Sequence, residues 1–306
     1  MPIGAQVEPP DPAVAVGARA LRHSGLMTES RVDRLLVPGA SLFYKVRGTG
    51  PLLFMLQGGD GDAESTDALA DRLVDRYTIL TYDRRGLSRS PIDPAVGSAD
   101  LATHSGDAAR LLAEVTDEPA LVFGTSLGAL LGLDLIAHHP DRVRRLVAHE
   151  PPATELLPER ERDDAVRSQE EVEEIYRRDG IGAAMRQFMT ISGVNFDDRE
   201  PDVELPRPKP ERIANLRFFL TYDAPAVRRY RLDRPALLAV ATRIVPGVGS
   251  SSGGSLAHNS AVALAELLGQ ALVEFPGGHS GFAFRPRAFA AVLDHSLTGS
   301  GGHPRA

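Results

Sequence analysis

The group best placed by type and spacing to do chemistry is a serine framed by glycines, Gly124-Thr125-Ser126-Leu127-Gly128. It fits G-x-S-x-G, in which the serine stands at the tip of a sharp turn between a strand and a helix. The surroundings suit that reading: an apolar run, Leu121–Phe123, precedes it and a helical pattern, Leu130–Ala137, follows. Glycines on both sides let the turn close without a Cβ clash and leave the serine strained and exposed. A serine hydroxyl is a weak nucleophile until a base takes its proton. The expected base is His279, in Phe275-Pro276-Gly277-Gly278-His279-Ser280-Gly281, just after the last strand-like run. The other histidines fit less well. His104, His138 and His139 fall in or beside helices, His258 begins one, and His295 lies inside the last. Attack on a carbonyl also needs two N–H donors for the developing oxyanion. Leu127, next to the nucleophile, supplies one; Gly59, in Gln57-Gly58-Gly59-Asp60-Gly61, is expected to supply the other.

These groups must be carried by elements that bring them to one place. Arg31–Val37 and Ser41–Val46 read as strands joined at Pro38-Gly39. Leu52–Leu56 is wholly apolar, as a strand buried on both faces requires. A helix is expected over Asp67–Arg76, a strand over Tyr77–Tyr82 and a helix over Asp100–Val115. The alternation continues with a strand at Ala120–Phe123, a helix at Leu127–His138 and a strand at Val143–His149. Ala236–Ala241 and Ala271–Phe275 complete eight strands, with helices near Ala257–Leu268 and Arg285–Leu297. Strands alternating with helices imply a mostly parallel sheet with helices on both faces.

One segment, 151–235, has no convincing strand. Ile181, Met185, Phe188 and Met189 recur there at the spacing of one apolar helix face, and Ile213, Leu216 and Leu220 form a second stripe beside Phe218 and Phe219. It reads as a helical cap over the carboxyl edge of the sheet, where ligands of open α/β sheets bind. Met185, Phe188, Met189 and Phe219 are its candidate substrate-binding residues, although such stripes also serve simply to pack helices. The remaining organisation is a core of 30–150 and 236–298, a flexible N-terminal arm over 1–29 and a flexible tail over 299–306. Met27, directly before the patterned sequence, is a candidate natural start.

Taken together, Gly124–Gly128, the strand order, Tyr82-Asp83-Arg84-Arg85-Gly86-Leu87-Ser88 and His279 resemble the α/β-hydrolase fold family over residues 31–297. The resemblance implies an acid that orients the histidine, usually after the strand that follows the cap. No Asp or Glu occurs between Asp233 and Glu266, so the chain departs from the common pattern there. Some members carry the acid one strand earlier, and Glu150 stands in that place. Pro151 disfavours a helical Glu150, so the strand is expected to end extended. A Ser–His dyad without an acid and a purely structural Glu150 are the other options. His149 should point to the opposite face. Asp83, Arg84 and Arg85 are expected to hold loops together, and Asp60 and Asp62 to be solvated loop acids.

Composition narrows the chemistry further. The absence of cysteine excludes disulfides, thiolate metal sites and a cysteine nucleophile. A net charge of −7 argues against a nucleic-acid partner. No metal constellation and no dinucleotide fingerprint occur, so neither metal nor cofactor is expected. No apolar run is long enough for a membrane span. The expectation is a cofactor-independent serine hydrolase of an ester-like bond in a hydrophobic small molecule, located by default in the cytoplasm. A homodimer stays open. The alternatives are a non-catalytic or weakly catalytic binder on the same fold, or an acyl-transferring cyclase or thioesterase.

Overall fold

The computed structural model describes residues 30–204 and 209–299. The expected arm, with Met27, and positions 300–306 of the expected tail lie outside the described residues. The chain opens with a hairpin of β1 (Arg31–Val37) and β2 (Ala40–Gly48). Then follow β3 (Leu52–Leu56), α1 (Asp67–Ala70), β4 (Thr78–Tyr82), α2 (Leu101–Val115), β5 (Ala120–Thr125), α3 (Leu127–His138) and β6 (Val143–His149). Helices α4 (Glu159–Asp179), α5 (Ile181–Ile191) and α6 (Pro210–Phe218) come next. A π-helical turn over Phe219–Asp223 then leads into α7 (Ala224–Arg229) and α8 (Arg234–Ala239). The chain closes with β7 (Ile244–Gly249), α9 (Leu256–Leu268), β8 (Val273–Phe275), α10 (Gly281–Phe284) and α11 (Pro286–Thr298).

The eight strands form one sheet in the order β1-β2-β4-β3-β5-β6-β7-β8. β1 and β2 pair antiparallel with their neighbours, and every pairing from β4 to β8 is parallel. Alternation along each strand feeds two cores. Phe54 and Leu56 of β3 pack with α2 and α3, whereas Leu53 and Met55 pack with α1 and α11. α3 is apolar around its circumference, and Leu127 to Ile136 are all buried. That is what a helix wrapped by sheet and neighbouring helices requires.

Three expectations need correction. Ala236–Ala241 is not a strand: α8 occupies Arg234–Ala239, and a 3₁₀ turn over Ala241–Arg243 follows. Asp233 Oδ1 accepts the Ala236 N–H at 3.0 Å, and Pro235 pre-sets the first turn. The strand is the next run, β7, buried throughout, which places Gly247–Gly249 in the sheet rather than in a loop. The helix expected over Asp67–Arg76 keeps α geometry only to Ala70. Beyond it the chain continues in turns, with Arg72 N–H donating to Leu69 O at 3.1 Å and Leu73 N–H to Ala70 O at 2.9 Å. The third correction concerns Glu150 and belongs to the site.

Among its described residues, 151–235 carries helices joined by turns and no strand. α4 buries only Ala165 and Val172, so its many charges stand on a solvated face. α5 and the π-helical turn direct side chains toward the carboxyl ends of the strands, where Phe188 and Phe219 meet edge to face with ring centroids 5.8 Å apart.

The turn after β5 sits where only glycine fits. A Cβ on Gly128 would stand 2.0 Å from Leu56 O, and one on Gly124 would stand 2.4 Å from Gly128 O. Both obstacles are backbone. Gly128→Ala is therefore expected to cost at least about 2 kcal/mol, lowering the melting temperature by roughly 5 °C or more. A thermal melt within about 1 °C of wild type would show that the turn is less tightly packed than described.

Candidate active site

Ser126 occupies the tip of the β5–α3 turn with φ +54° and ψ −125°, a conformation that side chains rarely adopt. Its N–H donates to His149 O at 2.9 Å, which carries the β5–β6 ladder up to the turn. Its carbonyl accepts the Ala129 N–H at 2.9 Å and so begins α3. The turn is thus over-determined on both sides, and the half-buried hydroxyl-bearing residue is presented at the strand ends.

Glu150 shares this unusual backbone. Its φ is +50°, not extended as expected. The Glu150 N–H donates to Gly247 O at 2.9 Å, so β6 pairs with β7 one residue past the end of the strand and the chain then turns sharply. That turn swings the carboxylate across the end of β7, where it is fully buried. Its Oε1 accepts the Gly249 N–H at 2.8 Å and a close bond from Ser252 Oγ; its Oε2 meets His279 Nδ1 at 2.6 Å. Burial pushes this carboxyl up, but the hydrogen bond from His279, nearby histidine charge and the Ser252 hydroxyl outweigh it and hold its pKa at about 2. Glu150 is thus a carboxylate that locks one ring nitrogen of His279 and leaves Nε2 for other work.

The glycines before His279 have a reason other than flexibility. The Gly277 carbonyl lies where a Cβ on Gly249 would come within 2.6 Å, so the histidine loop rests directly on the end of β7. His279 and Ser126 both line the same cavity. They are not hydrogen-bonded to one another among the described residues. Such pairs commonly tighten only around substrate. His149 points away, as expected: its ring packs edge to face on Phe275 and Phe289, and burial lowers its pKa to about 4, which keeps it neutral.

The Gln57–Gly61 loop lies beside the serine. A Cβ on Gly58 would be 3.6 Å from that of Ser126, and the Phe219 ring covers the space a side chain on Gly59 would need. Neither Gly59 N–H nor Leu127 N–H has a backbone or side-chain acceptor among the described residues. Asp83 holds loops together, accepting Ala63 N–H at 2.8 Å and Arg89 N–H at 2.9 Å. Arg85 is paired through two bonds to the buried Asp107. Asp60 pairs with Arg212 of α6 at 2.8 Å, and Asp62 accepts from Ser88 Oγ at 3.0 Å.

The cavity opens to solvent, and its walls are largely apolar. Of the four expected substrate-binding residues, Phe188 and Phe219 line it. Met185 instead packs with the core cluster, and Met189 is half-buried outside the lining. Residues not foreseen are Gln169, Val172 and Glu173 of α4, with Leu220 and Leu256. The spacing of the α4 trio, one helix face, was the available signal, masked by the surrounding charges.

A family model described as alpha/beta hydrolase fold matches residues 51–192. The uncharacterized hydrolase YraK of Bacillus subtilis (strain 168) is 37% identical over 267 residues, which is 86% of this chain and 94% of that protein. The chain belongs to the alpha/beta hydrolase family. It is a hydrolase of that family, and its serine turn lies within the matched residues 51–192. A zearalenone hydrolase of Bionectria ochroleuca is 29% identical over 124 residues, 39% of this chain and 46% of that one. Among solved structures, a hydrolase from Pseudomonas aeruginosa PA01 matches with a TM-score of 0.63 at 25% identity, over 88% of this chain and 98% of that one. No helix among the described residues is long and apolar enough to cross a membrane.

The depressed Glu150 pKa has a pH signature. A carboxylate favoured in the fold stabilises it above the ordinary pKa of 4.5, and that contribution is lost as pH falls toward about 2. The stability advantage of wild type over Glu150→Gln is therefore expected to shrink between about pH 5 and pH 2. Urea unfolding at the two pH values checks this; parallel losses in both proteins would mean that Glu150 is not held as a carboxylate.

Proposed function

We propose that this hydrolase cleaves an ester-like bond of a hydrophobic small molecule through an acyl-enzyme, with Ser126 as nucleophile and no cofactor. The observation that carries the reading is that Ser126, at a strained turn, and His279, locked at Nδ1 by a buried carboxylate, open onto one largely apolar cavity. His279 Nε2 takes the Ser126 proton as Oγ bonds to the acyl carbon. The carbonyl oxygen becomes an oxyanion facing the N–H groups of Gly59 and Leu127. On collapse the bond to the leaving alkoxide breaks, and His279 returns the proton to it. Water then repeats the sequence on the acyl-enzyme and releases the acid. Glu150 keeps the ring in the productive tautomer and stabilises the imidazolium that forms at each step.

The lining supports the substrate class. Phe188, Phe219, Leu220 and Leu256 offer an apolar body-binding surface and exclude water from the reacting carbonyl. Phe188 comes from the cap and Leu256 from the core, so an acyl body lies between them.

Labelling with a fluorophosphonate, followed by peptide mass mapping, tests the nucleophile. Stoichiometric modification at Ser126 is expected in wild type and none in Ser126→Ala; in His279→Ala the rate should fall by at least about 10³-fold. A folded wild type that resists labelling would overturn the hydrolytic assignment of Ser126 and favour a binder on the same fold. Specificity gives a second prediction. Phe188→Ala removes one cavity wall and should shift the preferred acyl length of p-nitrophenyl esters upward by two or more carbons, about a tenfold change in relative kcat/KM. An unchanged length profile would place Phe188 in packing alone.

A further inference from the structure

Arg84 follows directly on Asp83 at the end of β4, and it is almost completely buried at 3% exposure. Its guanidinium reaches the oxyanion loop from behind: Nη1 donates to Gly58 O at 3.2 Å and Nη2 to Gly59 O at 2.6 Å. Nη2 also makes a close bond to Asp223 Oδ2, and that carboxylate is equally buried. We propose that Arg84 is a positioning residue for the oxyanion hole, and that Asp223 couples it to the wall of the substrate cavity. The proposal rests on the reading of Ser126 and Gly59 given above.

The stereochemistry is simple. The carbonyl of Gly58 and the N–H of Gly59 belong to one peptide plane and, in a trans bond, point in opposite directions. No cis bond occurs among the described residues. A guanidinium bonded to the carbonyl therefore turns the Gly59 N–H away from Arg84, and Ser126 is the group against which this loop lies. A positive charge on the carbonyl oxygen also draws electron density from the peptide, so the N–H becomes a stronger donor to a developing oxyanion. Arg84 thus fixes both the direction and the polarity of one oxyanion donor without touching substrate.

Asp223 brings in the cap. It ends the π-helical turn Phe219–Asp223, whose first residue covers Gly59 and whose first two residues, Phe219 and Leu220, line the cavity. About one wide turn separates Phe219 from Asp223, so both fall on the side of the turn that meets the oxyanion loop. The loop is clasped at Gly59 by an aromatic ring and at Arg84 by a carboxylate. Burial works against charge on Asp223, but Arg84 outweighs it and keeps this carboxyl below its ordinary range. The pair is a poor device for stability, since desolvation offsets most of the attraction in a buried ion pair. Its surroundings are not fully satisfied either. His104 Nε2 stays 3.5 Å from Asp223 Oδ1, and Arg84 Nε has no partner among the described residues. The neighbouring Arg85–Asp107 pair contacts no carbonyl of the oxyanion loop, which sets Arg84 apart.

The test uses the full chain, a p-nitrophenyl ester that wild type turns over, and phosphonate titration to count functional sites. Arg84→Met is expected to lower kcat per titrated site by 10- to 100-fold with KM within about threefold, the signature of weaker oxyanion stabilisation. The inhibition constant of a trifluoromethyl ketone with the same acyl chain should rise by the same factor, while that of the product acid stays put. Because Arg84→Met leaves Asp223 unpaired, Arg84→Met/Asp223→Asn removes both charges and should show the same split. Arg84→Lys keeps the buried charge but reaches only one carbonyl, and about a tenfold loss is expected; it decides if the other two do not fold. A folded variant with kcat per site within threefold of wild type, or with only KM changed, would overturn the proposal. Failure of the hydrolase reading looks different: wild type itself would neither label nor turn over.

Discussion

The Glu150 carboxylate accepts bonds from His279, from the Gly249 N–H and from Ser252 Oγ in a place from which water is excluded. Each bond ties it to a different part of the chain. His279 comes from the loop after β8, Gly249 from the last position of β7, and Ser252 from the loop that follows. Remove the charge and three segments lose their common anchor. The left-handed turn at Glu150 is tolerated because the ladder to Gly247 and these three bonds together over-determine it. The serine turn obeys the same logic one strand away, with the His149 carbonyl on one side and the start of α3 on the other.

Two buried carboxylates therefore organise the carboxyl edge of the sheet. Glu150 works from the core and sets the histidine. Asp223 works from the cap and meets Arg84 behind the glycine loop. The cavity lies between these two anchors. Its apolar walls come from both the 151–235 segment and the core, and Ser126 and His279 face it. On the proposed mechanism the helical segment is thus joined to the oxyanion loop rather than laid over it.

Much of this was legible in the sequence. β3, α3 and β6 were read with their observed bounds, because each is a dense apolar run punctuated by glycine or proline. Context in the sequence singled out Ser126 and His279, which the fold brings to one cavity, and the gap in acids between Asp233 and Glu266 pointed to Glu150, which meets His279. Three kinds of feature stayed hidden. The run Ala236–Ala241 is apolar enough for a strand, but Asp233 and Pro235 start a helix, and local capping overrode the pattern. The backbone of Glu150 followed from its pairing with β7, which the preference imposed by Pro151 does not reveal. Arg84 and Asp223 stand 139 residues apart, and nothing in the spacing of either signals the other.

The position of Glu150 also orders the assembly of the protein. Ser126, the Gln57–Gly61 loop and Glu150 all lie within the first half of the chain, and β3, β5 and β6 are adjacent in the sheet. His279 alone arrives from the far end, after the outermost strand. A chain emerging from a ribosome presents its serine and its carboxylate long before the imidazole that meets that carboxylate. Completion of the site is thereby deferred until the C-terminal segment has docked, and on the proposed mechanism turnover becomes a report on the completeness of the fold.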